Sequence, residues 1–239
     1  MIRNPIVKFE IAQGAAESSL IQLAEARLNH LSENELHDVY VRMREAAERG
    51  SLFAMCMCST WRASKQRPEP SAGERFDWAK LAAEAGYAPG LYQLGFCYQN
   101  EIGVARDLVR SQELYERALA AGFSFAAYHL GMSFMEGTLG SIDAQKAVRF
   151  MERAYELGEA SGALALGSWF ETGERLAPDS HAAAGWYERA SALGDFTASH
   201  RLQQAYTLGE LGLARDATKA KQYEQLVFAQ TEPVKADIE

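Results

Sequence analysis

The residues in this chain that could do chemistry are three cysteines, five histidines and a recurring set of carboxylate–guanidinium neighbours. Thiolates act as nucleophiles and soft-metal ligands, and imidazoles relay protons or bind zinc. Cys56 and Cys58 stand two apart in a predicted helix, where such residues do not face each other, and no second pair completes a zinc site. They read as two small buried thiols. His30, His37, His129, His181 and His200 contain no H-E-x-x-H or similar ligand spacing. The chain has no G-x-x-x-x-G-K-[ST] loop and no G-x-S-x-G elbow, and the stretch from Gly95 to Gly103 lacks a preceding strand. The neighbours Glu116–Arg117 and Glu152–Arg153 recur in phase and read as solvated helix surface. The expectation is therefore no catalytic, metal-binding or cofactor-binding residue. An enzyme is the remote alternative, and it would need a polar cluster in a concave pocket.

At 239 residues, 48% of them hydrophobic and 23% charged, the chain can bury a sizeable core. A net charge of −8 with no basic stripe argues against nucleic-acid partners and against anionic membranes. The odd cysteine count suits a reducing compartment. The opening MIRNPIVKFEIAQG lacks the apolar run and small-residue cleavage site of a secretion signal. No stretch approaches the roughly 18 apolar residues of a membrane span. A cytoplasmic location and no membrane insertion are expected.

The elements that would position any site are set by a glycine recurring every 36 residues: Gly50, Gly86, Gly122, Gly158 and Gly194. Each closes a helical phrase, as in KLAAEAG and RALAAG, where a residue tolerant of positive φ ends the last turn. Four residues on stand Ala54, Gly90, Ala126, Gly162 and Ala198, all small. Eight on stand Cys58, Leu94, Leu130, Leu166 and Leu202. Twelve on stand Arg62, Tyr98, Phe134, Phe170 and Tyr206, with Trp61 read as filling the first aromatic slot. Offsets of 4, 8 and 12 share one side of a helix, so this face is predicted to pack. A second helix follows in each unit, with its bulky position at Trp78, Leu114, Phe150 and Trp186. Small residues follow four later at Ala82, Ala118, Ala154 and Ala190. The aromatics at 78, 150 and 186 are expected to dominate burial in their units. The intervening loops end in Asp107, Asp143 and Asp179, each placed to cap the next helix, and Asp216 arrives one residue late.

This pattern resembles the Sel1-like repeat, a relative of the tetratricopeptide repeat. GLYQLGFCYQNEIGVARDLVRSQELYERALAAG, AAYHLGMSFMEGTLGSIDAQKAVRFMERAYELG and GALALGSWFETGERLAPDSHAAAGWYERASALG carry the resemblance over roughly residues 87–194. It implies an all-α fold, a right-handed superhelical solenoid of antiparallel helix pairs with a 36-residue period. Expected boundaries are N-terminal capping helices over 1–50, five units over 51–86, 87–122, 123–158, 159–194 and 195–230, and a polar tail over 231–239. The cap would comprise an amphipathic helix over 15–31 and a helix opened by a Ser32–Glu35 capping box. The proline-containing stretch over 64–73 reads as a flexible insertion. Some members of the resembling family are secreted and carry a disulfide in each repeat; this chain lacks that cysteine spacing.

In such solenoids the first helices line a groove that holds peptides or proteins. Offsets 3, 7, 10 and 14 give a stripe distinct from the packing face: Phe53, Met57 and Thr60, then Pro89, Gln93, Phe96 and Asn100. It continues with Phe125, His129, Met132 and Glu136, and later with Arg201. From it we select Phe53, Met57, Gln93, Phe96, Phe125, His129, Met132 and Arg201 as partner-binding residues. Apolar anchors would supply affinity, and Gln93, His129 and Arg201 orientation. The competing reading is that the aromatics pack against the neighbouring unit. The stripe reading requires Phe53, Phe96, Phe125 and Met132 to be more than a quarter exposed. The resemblance implies a non-catalytic adaptor for a protein or peptide partner. An immunity protein or chaperone that binds a toxin or secreted effector is the alternative.

Overall fold

A computed structural model describes residues 5–6, 33–61 and 70–231. The expected helix over 15–31, the Ser32 cap and residues 232–239 lie outside them. The described residues are all-helical: α1 (Glu33–Glu48), α2 (Leu52–Ser59), α3 (Ala72–Glu84), α4 (Ala88–Gln99), α5 (Leu108–Ala120) and α6 (Phe125–Glu136) come first. They continue with α7 (Ala144–Glu156), α8 (Ala160–Thr172), α9 (Ser180–Ala192), α10 (Phe196–Leu208) and α11 (Ala217–Thr231). The chain forms two compact units, Met1–Ala126 and Ala127–Glu239. In the first, α1 through α5 each pack on the next, and α2 also touches α4. In the second, α7 through α11 each pack on the next.

The periodic glycines sit where the backbone turns left-handed. Gly86 has φ +76° and Gly158 +82°. A Cβ at either would meet nothing within 4 Å, so conformation and not space selects glycine there. The chain then closes each helix end with paired bonds: Gly86 N donates to Ala83 O and Tyr87 N to Ala82 O. Four residues on, the requirement is spatial. A Cβ on Gly90 would lie 2.6 Å from the Ala82 Cβ, and one on Gly162 would lie 2.6 Å from the Met151 carbonyl oxygen. Small residues on both helices let their backbones come this close.

The aspartates cap as expected. Asp107 accepts from the Arg110 amide, Asp143 from Lys146 and Asp179 from Ala182, each at 2.9 Å. Asp216 accepts from Lys219 at 3.0 Å. Their own amides donate back to the carbonyls of Tyr98, Phe134, Phe170 and Tyr206, the offset-12 aromatics. One residue thus starts the second helix and ties it to the first. At α3 the cap is Ser71, whose hydroxyl accepts from the Glu74 amide while Glu74 accepts from the Ser71 amide. Ala72 and Gly73, expected in a loop, are helical for this reason.

The second helices are phased one residue differently from the expectation. Trp78, Phe150 and Trp186 are only half-buried. The residue after each bulky position goes deeper: Tyr115 and Met151 are 0% exposed and Tyr187 is 4% exposed. The cause is the glycine of the Leu-Gly step in the preceding helix. A Cβ on Gly95 would sit 3.0 Å from the Tyr115 ring, one on Gly131 2.9 Å from Met151, and one on Gly167 2.7 Å from the Tyr187 ring. Each glycine is a slot for the large residue of the next helix. Trp186 instead packs edge-on to Tyr155 with centroids 5.7 Å apart, under the Arg189 guanidinium at 4.2 Å.

Candidate functional site

In the first unit a cavity of about 260 Å³ opens between the first helices. Thr60 at the end of α2, Tyr92, Gln93 and Phe96 of α4, and Phe125 at the start of α6 line it, with Arg75 of α3. Thr60, Gln93, Phe96 and Phe125 all belong to the stripe expected from the sequence. The aromatic wall is cohesive. Tyr92 and Phe125 meet edge-on with centroids 5.6 Å apart, and Tyr92 lies 5.3 Å from Phe123. The Arg75 Nε donates to the Ser59 carbonyl at 2.9 Å, which satisfies the C-terminal end of α2 and fixes the guanidinium at the rim. Pro5 and Ile6 line the same cavity, and Ile6 is 1% exposed.

Phe53 and Met57 do not join this wall. They are 2% and 0% exposed, against the surface position expected for them. Helix α2 is short and apolar all round, and α1, α3 and α4 pack against it, so it has no free side to offer. Phe96, Phe125 and Met132 are half-buried.

In the second unit, Met132, Met135 and Glu136 of α6 line a smaller cavity of about 210 Å³ with Trp169, Glu174 and Arg175. Arg175 donates to the Met135 carbonyl. His129 is half-buried, and desolvation pushes its imidazole down to about 4, so it is neutral at pH 7. Arg201 is bonded within the chain. Its Nη2 and Nε donate to Glu171 at 2.6 and 2.9 Å, and its Nη1 donates to Glu210 at 2.8 Å. Glu171 also accepts from the Tyr187 hydroxyl at 2.7 Å. Burial would raise the Glu171 carboxyl, but the bonds from Arg201 and Tyr187 outweigh it and hold the group below its ordinary value. A carboxylate one repeat upstream was the missing partner, and only the equivalence of positions 171 and 99 hints at it. Gln99 takes the same bond from Tyr115, at 2.7 Å.

Among the described residues no group of three or more His, Cys, Asp and Glu side chains could hold a metal, and no helix is long and apolar enough to cross a membrane. The three cysteines are buried and unbridged, and burial pushes the Cys97 thiol up to about 11.

A family model for the Sel1 repeat matches residues 76–87, 88–123, 124–159 and 160–195, just over half of the chain. No curated protein is a significant sequence match. Among solved structures, a Sel1 repeat protein from Oxalobacter formigenes is similar at 21% identity and a TM-score of 0.63, covering 95% of this chain and 88% of that one. An immunity protein from Pseudomonas aeruginosa is similar at 17% identity and a TM-score of 0.61, with 89% and 80% covered. A protective antigen of uropathogenic Escherichia coli with an SLR fold is similar at 19% identity and a TM-score of 0.56. This chain covers 53% of that antigen, and 95% of this chain is covered. At these identities the likeness is one of fold.

Proposed function

Because the chain belongs to the Sel1 repeat family, we propose that it is a non-catalytic binding module that holds a segment of another protein against its first helices. The observation that carries the reading is the convergence of Thr60, Gln93, Phe96 and Phe125 on one cavity. Side chains three, seven and ten residues beyond the repeat glycines form one recess from separate helices. Its aromatic wall and buried amide suit an apolar anchor flanked by peptide backbone. Met132 beside Trp169 offers a second, adaptable contact. Immobilised wild-type protein should capture its partner from lysate, and Phe96→Ala and Met132→Ala should each lower capture at least tenfold while helicity and melting stay nearly unchanged. Equal capture by wild type and both variants overturns the reading.

A narrower reading makes the partner a toxin or secreted effector. The net charge of −8 favours fast association with a basic target, and the fold is similar to that of the immunity protein from Pseudomonas aeruginosa. Co-expression with the product of a neighbouring gene tests it. Rescue of growth from a toxic neighbour supports it, and neighbours that are harmless alone count against it.

A further inference from the structure

We infer that the recess of the second unit seats an arginine side chain of the partner, laid on the Trp169 indole between Glu136 and Glu174. This rests on the binding-module reading and adds the chemistry of the partner's second contact. Met132, Met135 and Glu136 come from the end of α6, and Trp169 from α8. Gly173, left-handed at φ +69°, ends α8 and turns the chain so that Glu174 and Arg175 complete the wall. The volume of about 210 Å³ falls below the roughly 300 Å³ at which small-molecule pockets begin, and suits one side chain. The repeat itself does not call for an indole here. Cys97, Ser133 and Ala205 hold the register position of Trp169 in three other units. Trp61 holds it in the first, where the ring is buried and packs on Tyr40 with centroids 5.1 Å apart. Trp169 is half-buried, and no ring or cation among the described residues lies on it. At four other rings the chain supplies the cation itself. Arg110 stands 5.1 Å from the Tyr98 centroid, Lys146 5.1 Å from Phe134, Arg189 4.2 Å from Trp186 and Lys219 4.8 Å from Tyr206. The recess carries the counter-charge for a cation from outside. Glu136 and Glu174 are exposed, and neither has an ion-pair partner among the described residues. Arg175 donates to the Met135 carbonyl, one of those that the end of α6 leaves without a helical partner. A guanidinium fits what remains, because its planar face stacks on an indole while its N–H fork donates to carboxylates. The net charge of −8 adds a long-range pull on a basic partner.

The test titrates the full chain with the peptide acetyl-Gly-Arg-Gly-amide and follows the indole N–H resonance of Trp169, assigned with Trp169→Phe. The peptide should shift that resonance saturably. The same peptide with citrulline, an uncharged isostere, in place of arginine should bind roughly tenfold more weakly or worse. The double variant Glu136→Gln, Glu174→Gln should weaken the arginine peptide by a similar factor. Glu113→Gln with Glu116→Gln removes the same two charges from the exposed face of α5 and should leave the affinity within about twofold of wild type, since exposed charges at a distance are screened. Should the Glu136→Gln, Glu174→Gln variant fail to fold, the comparison of arginine with citrulline on the wild type decides. No saturable shift of Trp169, equal affinity for the two peptides, or unchanged affinity in the folded Glu136→Gln, Glu174→Gln variant overturns the inference. If Phe96-dependent partner capture survives such a result, only the basic anchor is lost. If Phe96→Ala and Met132→Ala leave capture unchanged, the binding-module reading falls, whatever the peptide does at Trp169.

Discussion

The two units use the same repeat register for different surface chemistry. At the seam between second and first helices, Tyr115 donates to neutral Gln99 in the first unit and Tyr187 donates to ionised Glu171 in the second. Glu171 then recruits Arg201, and Arg201 recruits Glu210, so that stripe is tied by charge. The first unit instead leaves aromatic rings around a recess. The lesson is that a repeat fixes where a side chain points but not what it does. The same offset seven residues past the repeat glycine is a recess amide at Gln93 and an internal staple at Arg201.

The comparison can be broken at its packing. Gly162→Val forces a branched side chain against the Met151 carbonyl and Ala154, and should cost about 3 kcal/mol or more in chemical denaturation. Tyr187→Ala should cost about 3–5 kcal/mol, whereas Trp186→Ala, half-buried on the outer side, should cost only about 2 kcal/mol. If the tryptophan costs more, the one-residue phase described above is wrong.

His129 sharpens the contrast through pH. Its folded imidazole titrates near 4, below the unfolded value of 6.5, so the unfolded chain binds the proton first. Stability is full above pH 6.5 and falls as pH drops from there towards 4. His129→Gln should remove about 2 kcal/mol of that acid loss, read from melting at pH 7 and pH 4.5.

Arg201→Met should cost about 1–2 kcal/mol, since it strands a partly buried carboxylate while water screens the exposed Glu210. Glu171 is held below its ordinary value, so its share of stability is present above about pH 4.5 and lost on further acidification. That step should be weaker in the Arg201→Met variant.

The sequence made the local features legible. Helix ends, the small residues four past each glycine and the Asp caps are short-range matters of φ, spacing and the first turn's free amides, and periodic positions expose them. The depth of Tyr115 and Tyr187 was missed because the slot that receives each ring is a glycine in a different helix, Gly95 or Gly167. Phe53 and Met57 were misplaced because helical spacing identifies a face and cannot say that three neighbours cover α2. The tie between Arg201 and Glu171 depends on a residue 30 positions away, beyond the reach of any single-helix pattern.

The most direct measurement compares partner capture by Phe96→Ala and Arg201→Met at equal concentration of folded protein. The account predicts at least a tenfold loss for Phe96→Ala and near wild-type capture for Arg201→Met. Equal losses, or a loss confined to Arg201→Met, would contradict it.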